Sequence, residues 1–473
     1  MDTRTEHDSL GTLDVPTDAY WGIETLRAVR NFPISGLRTH PELVRATALV
    51  KQAAAEVNVA LGELDAVRGG AIARAAAEVA AGGLADQFVV DVFQAGAGTS
   101  LHMNVNEVLA NRALELLGRR RGDYAHVHPH DHVNLGQSTN DVVPTALRLA
   151  ALRMLGRLER TLGGLIDAFA DKGREFDHIV KAGRTHLQDA VPVRLGQELA
   201  AYAAGLDKDR ERLRRAAEVL AELNLGGTAA GTGINAHPRF REAAVARLRE
   251  LSDLPVRPAA NPMALMQSMA DFADASAALR TLALDLIRIA NDLRLLASGP
   301  RTGLAELALP VVQPGSSIMP GKVNPVMAEM LDMVGFQVLG NDTTVAAAVQ
   351  AGQLELNVML PVLAHDLLQS LELLDAALRA FTERAVRGIT ADADRCRRNF
   401  ERSAGLATLL TPSLGYDRSA ALAQEAARSG RGVLELAAER GLLGPAERDR
   451  LLADPRALTE PGRFRATNRR NDR

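Results

Sequence analysis

The sequence predicts a mostly α-helical protein built on an elongated central bundle of long helices, with smaller regions at both ends. The main observation is apolar spacing. Leu147, Ala151, Leu155, Leu158, Leu162, Leu165 and Phe169 step by three and four residues. So do Leu279, Leu282, Leu286, Ile289, Leu293 and Leu296, and the run Leu356, Leu360, Leu363, Leu367, Leu371, Leu374, Leu378 and Phe381. That is the spacing of one buried helix stripe. Ala-rich stretches near 195–222 and 325–350 are also helix-like, and strand-type alternation is weak throughout. Helices of about 30 residues would span about 45 Å, against roughly 11–12 residues for an average globular helix. Such sustained seams suit a bundle and can also pack against other subunits.

In chain order, residues 1–140 read as a mixed, mainly helical N-terminal domain and 141–394 as the long-helix and oligomerisation domain. Residues 395–473 form a small helical C-terminal domain whose end, with Arg463, Arg465, Arg469, Arg470 and Arg473, reads as a solvated tail. At 473 residues, 47% hydrophobic and 24% charged, the chain is globular with more than one domain. A net charge of -3 and 3% aromatic residues argue against nucleic acid or an anionic membrane as partner. No run of 18 apolar residues and no signal-peptide core are seen, so a cytoplasmic location is expected. The lone Cys396 excludes an intrachain disulfide and Cys-ligated metal clusters, and reads as a small hydrophobe on a helix. Of 55 Lys and Arg residues, 50 are Arg, so Lys322 stands out in an irregular loop as a compact point charge.

Four segments carry the polar chemistry, each a Gly- or Pro-marked loop expected to feed a helix N-terminus. Gly96-Ala97-Gly98-Thr99-Ser100 precedes a run to Leu117, and Gln137-Ser138-Thr139-Asn140-Asp141 precedes a helix containing Pro144. Gly183-Arg184-Thr185-His186-Leu187-Gln188-Asp189 precedes a helix expected near Val193. Gly315-Ser316-Ser317-Ile318-Met319-Pro320-Gly321-Lys322-Val323-Asn324-Pro325 opens the fourth. Singly, Thr99, Ser138, Thr139 and Asn324 are ordinary helix caps and His186 an ordinary structural histidine. Converging, helix N-termini, hydroxyls and Lys322 would bind a small dianion. Gly315 to Lys322 is not a P-loop, because Val323 stands where Ser or Thr must hold magnesium. Gly226 to Gly233 lacks the dinucleotide spacing and a preceding strand. His126, His128, His130 and His132 alternate without a carboxylate pattern, so no metal site and no cofactor is expected.

With these segments in place, the chain resembles the aspartase/fumarase superfamily, from Asp18-Ala19-Tyr20-Trp21-Gly22 to Gly388-Ile389-Thr390-Ala391. Within it, Gly96–Ser100, Ser138–Asp141, Asp189-Ala190-Val191-Pro192 and the stretch Ala351 to Met359 look more like the aspartate ammonia-lyase branch than the class II fumarases. The resemblance implies a cofactor-independent lyase that converts L-aspartate to fumarate and ammonia, with fumarase chemistry on L-malate as the alternative. A catalytically silent member of the fold would be expected to lose Ser316, Lys322 and His186, which are present. The resemblance also implies a homotetramer with active sites assembled from three subunits. Thr99 and Ser138–Asn140 would come from one, Thr185 and His186 from a second, and Ser316–Asn324 from a third. At matching positions the side-chain carboxylate meets Thr99, Ser138, Thr139 and Ser317, and the amine meets Asn140 and His186. The α-carboxylate meets Thr185, Lys322 and Asn324, and Ser316 matches the catalytic base. Two positions depart from the family pattern: His102 where Asn is usual, and Leu360 where aspartases tend to carry Glu and fumarases Lys.

The expected difficulty is removing a proton beside an ionised carboxylate, which builds a second charge on that group. Donors aimed at the doubly charged aci-carboxylate would stabilise it. A deprotonated Ser316, its pKa lowered by loop amides, would take the proton as the loop closes on Gly315 and Gly321.

Overall fold

The computed structural model describes residues 2–461; the tail arginines from Arg463 to Arg473 lie outside the described residues. An N-terminal hairpin pairs β1 (Thr3–Asp8) with β2 (Gly11–Pro16), followed by α1 (Ile23–Asn31), α2 (Pro41–Leu61), α3 (Ala66–Ala80) and α4 (Thr99–Leu116). The long helix α5 (Thr139–Glu175) leads to a second hairpin, β3 (Val180–Thr185) and β4 (Gln188–Arg194), and then to α6 (Leu195–Leu220). Next come β5 (Glu222–Leu223), α7 (Phe240–Ser252), β6 (Arg257–Pro258), α8 (Ala264–Gln267) and α9 (Ala270–Leu296). β7 (Leu307–Ala308), α10 (Val326–Gln350), α11 (Leu360–Arg384), β8 (Thr390–Ala391) and α12 (Ala393–Arg402) follow, with short helices between Ala407 and Thr459.

The chain is mostly helical, as the apolar periods predict. α5 runs for 37 residues, α6 for 26, α9 for 27, and α10 and α11 for 25 each. Two compact units divide it. One takes the residues up to Arg160 with Glu211–Ala283 and Val334–Asp375, and the other takes Thr161–Arg210, Leu284–Met333 and the chain from Ala376 onward. In the first unit the stripes bury Leu147, Leu155, Leu158, Leu279, Leu282, Leu363 and Leu367. In the second they bury Leu162, Leu165, Phe169, Leu286, Ile289, Leu293, Leu378 and Phe381. Each buried side chain contributes roughly 1.5–3 kcal/mol. Cys396 lies buried on α12. Among the described residues no helix is long and apolar enough to cross a membrane.

Two local expectations need correction. Leu356 continues the apolar period but lies outside α11, in a tight turn where Gln353 and Leu356 pair through their backbones. The helix starts only at Leu360, where Pro361 pre-sets the first turn. The segment Gly183–Asp189 is not a loop running into a helix at Val193. It is the turn of the β3–β4 hairpin, and the helix begins at Leu195. His186 (φ 53) and Leu187 (φ 61) take the left-handed conformation that a two-residue hairpin turn demands. The irregular register at Ala182/Arg184 brings Gly183 so close to Val191 that a Cβ would sit 2.5 Å from its carbonyl oxygen. Neither His nor Leu is a usual residue in such a turn, which hid it from pattern reading.

Candidate active site

In the first unit, two helix starts carry the predicted hydroxyls. Ala97 (φ 61) and Gly98 (φ 88) turn the chain sharply into α4, and the Ala97 N–H donates to the Val358 carbonyl at 2.7 Å. A Cβ on Gly98 would stand 3.1 Å from Val143, so both φ and space call for glycine. The turn leaves Thr99 exposed at the first position of α4, its hydroxyl 3.4 Å from the Gly96 carbonyl. Thr99 lines a cleft of about 780 Å³ together with Glu24, Arg27, His128 and His130.

Ser138, Thr139 and Asn140 are held at the start of α5 by a buried clasp. The Asp141 carboxylate accepts the N–H of Ser138 (2.9 Å), Gly226 (3.0 Å) and Thr228 (3.0 Å). Asn140 Nδ2 donates to the Ala229 carbonyl at 2.8 Å, and the Asn140 N–H donates to Ser138 Oγ at 3.2 Å. Thr139 Oγ1 lies 2.7 Å from His102 Nδ1. Full burial raises the Asp141 carboxyl to about 6, against the amides that favour its charge. Lys51, completely buried on α2, donates to Asn134 Oδ1 and Gln137 Oε1, both at 2.9 Å, just before Ser138. Burial pulls its ammonium well below the usual lysine range, while the field of Asp141 opposes this.

In the second unit, Thr185 and His186 stand at the tip of the β3–β4 hairpin. Glu306, with no exposed side-chain surface, anchors that hairpin. It accepts from Arg184 through both oxygens (3.0 and 2.7 Å), lies 3.1 Å from Lys181 Nζ, and accepts from Asn399 at 3.0 Å.

The Ser316 loop forms a closed ring. The Gly315 N–H donates to the Lys322 carbonyl at 2.9 Å, and Asn324 Nδ2 donates to the Gly315 carbonyl at 2.6 Å. A Cβ on Gly315 would meet the Asn324 nitrogen at 2.6 Å, so the neck admits glycine alone. Inside the ring, Ser316 Oγ accepts the N–H of Met319 (3.0 Å) and Ile318 (3.3 Å). Ser317, Ile318, Met319 and Lys322 are exposed, and Gly321 turns the loop at φ 78.

The ten predicted residues thus fall into three groups. Thr99, Ser138, Thr139 and Asn140 gather in the first unit, whereas the hairpin tip and the Ser316–Asn324 ring belong to the second. Ser138 does accept a cap-type bond from Asn140, but Gly98 occupies the cap position of α4 and the Asn324 side chain closes the ring. Simple capping therefore explains Ser138 and leaves Thr99 and Lys322 unaccounted for. Sequence reasoning gave no role to Asp141, Lys51, Glu306 or the Gly226–Thr228 amides. Lys51 carried a usable signal: it is one of few lysines in an Arg-rich chain and sits inside an Ala-rich helix.

Comparison with known proteins bears on the same regions. A family model described as "Lyase" matches residues 11–340, and one described as "Fumarase C C-terminus" matches 406–460. The aspartate ammonia-lyase of Pseudomonas aeruginosa is 52% identical over 447 residues, 94% of each chain. The class II fumarate hydratase of Halobacterium salinarum is 50% identical over 462 residues, 98% of each. A solved structure described as fumarate lyase:delta crystallin from Brucella melitensis superposes with a TM-score of 0.92 at 50% identity, covering 96% of this chain and 99% of that one. Fold and sequence together define the class as a lyase. The chain belongs to the aspartase/fumarase superfamily of lyases.

Proposed function

We propose that this lyase is an aspartate ammonia-lyase, working as a homotetramer whose active sites draw on three subunits. The observation that carries the chemistry is Ser316 Oγ accepting two backbone N–H groups within a closed ring. Those donors stabilise an alkoxide more than an alcohol, which is what a serine base needs. Ser316 takes a proton from Cβ of L-aspartate, and the C–H electron pair moves into the side-chain carboxylate to form the aci-carboxylate. Thr99, Ser138, Thr139 and Ser317 donate to that dianion, most strongly where the new charge develops. Collapse of the intermediate forms the C=C bond and expels the amine, held by Asn140 and His186, giving fumarate and ammonia. Thr185, Lys322 and Asn324 hold the α-carboxylate, for which the exposed Lys322 ammonium supplies a point charge.

Aspartate ammonia-lyases among the relatives favour this substrate, as do Gly96–Ser100 and Ser138–Asp141. The similarity to a class II fumarate hydratase favours a second reading, addition of water to fumarate. Purified protein incubated separately with L-aspartate and with L-malate, followed by fumarate absorbance, decides between them. Signal with L-aspartate supports the proposal, and signal with L-malate alone overturns it.

A further inference from the structure

We propose that His102 is a positioning residue that commits the Thr139 hydroxyl to donating toward the substrate carboxylate. This rests on the reading above, in which Thr139 meets that carboxylate. His102 lies one turn into α4, 1% exposed, with Nδ1 2.7 Å from Thr139 Oγ1. Its Nε2 is buried and has no protein hydrogen-bond partner among the described residues.

One proton lies between imidazole and hydroxyl, and either group can supply it. If the Thr139 O–H donates, Nδ1 is an acceptor, the ring proton sits on Nε2, and a buried N–H is left without an acceptor. The hydroxyl is then spent on the ring and cannot serve the substrate. If Nδ1–H donates, Nε2 keeps only a lone pair and the Thr139 proton is free. Orphaned buried N–H donors are rarer than unpartnered acceptors, and only the second arrangement leaves the hydroxyl proton for a ligand, so the geometry points to it. The doubly protonated ring is disfavoured by burial, with the nearby charges of Lys51 on α2 and His130 in the turn before α5 acting in the same direction. A hydroxyl that receives an N–H is also a stronger donor, since linked hydrogen bonds polarise one another. The gain is largest where the carboxylate becomes a dianion, so it falls on kcat rather than on KM.

Neutron diffraction from crystals of the perdeuterated protein reads the tautomer without any assay. Deuterium on Nδ1 and none on Nε2 is expected; the reverse overturns the proposal. In kinetics, His102→Leu should lower kcat about 10- to 100-fold while changing KM less than about threefold. His102→Asn, whose amide can still donate to Thr139, should recover to within about threefold of wild type. Adding Thr139→Val to His102→Leu should cost little beyond Thr139→Val alone, because the two act as one device. Fully additive losses, or an unaltered kcat in His102→Leu, would overturn it. Failure of the aspartate reading shows separately, as wild-type protein inactive on L-aspartate, and leaves the deuterium positions to decide the tautomer.

Discussion

Ser316 is the residue on which the proposed chemistry turns. Replacing it with alanine removes the base but not the ring, whose closure runs through Gly315, Lys322 and Asn324. Ser316→Ala should therefore lose at least about a thousandfold in kcat with an unchanged melting temperature, read by steady-state kinetics and circular dichroism. Glu107 on α4 makes a different prediction. Its buried carboxylate accepts the N–H of Gly22 (2.8 Å), Glu24 (2.8 Å) and Thr25 (3.1 Å) at the start of α1, yet burial pushes it up to about 7. Between the ordinary value of 4.5 and about 7 the folded chain holds a proton that the unfolded chain has released. This contribution is full below that window and falls by up to about 3 kcal/mol as pH rises through it. Melting temperature against pH should show the decline in wild type and a shallower one in Glu107→Gln.

At the scale of elements, one buried carboxylate, Glu306, ties two cations of the β3–β4 hairpin. Among the described residues, Glu306→Ala would take the only carboxylate shown against the Arg184 guanidinium and leave the nearly buried Lys181 ammonium with Glu198 alone, at a cost of about 3 kcal/mol in denaturant unfolding. The long helices were legible because burial repeats every three or four residues through Leu147–Phe169 and Leu279–Leu296, and nothing local competes with that signal. The hairpin was not legible, because its turn uses His186 and Leu187 in place of the Asn-Gly or Asp-Gly pairs that mark such turns. The start of α11 was misread for a related reason: Leu356 obeys the period, but Leu354 at φ 50 and Pro361 set the boundary by backbone geometry, which apolar spacing does not encode. In the candidate site, residue types were readable from motif and resemblance. The clasp around Asp141 was not, since Lys51, Asp141 and Gly226 to Thr228 meet only through folding.

At the scale of the whole molecule, a single chain leaves large apolar side chains uncovered on its long helices. Met333 is 63% exposed and Phe336 58% exposed on α10, with Leu284 51% exposed on α9. Such surface on central helices fits burial against further copies, and sedimentation should give a particle of about four times the 50.5 kDa chain. Mixing two inactive variants tests the shared site. If Thr99 and Ser316 of one site come from different subunits, randomly assorted Thr99→Val and Ser316→Ala chains should regain up to about a quarter of wild-type activity. No recovery after unfolding and joint refolding would place both groups in one subunit.

The uneven use of cations also bears on how the protein can be handled. Lys51 and Lys181 are buried, while Lys322 is exposed on the Ser316 ring. Isothiocyanates, succinimidyl esters and cyanate from aged urea therefore meet few side-chain amines, and one of them is the proposed carboxylate anchor. Labelling or immobilisation through amines should inactivate the protein in proportion to Lys322 acylation, with fumarate giving protection, whereas attachment through surface carboxyls should leave turnover intact.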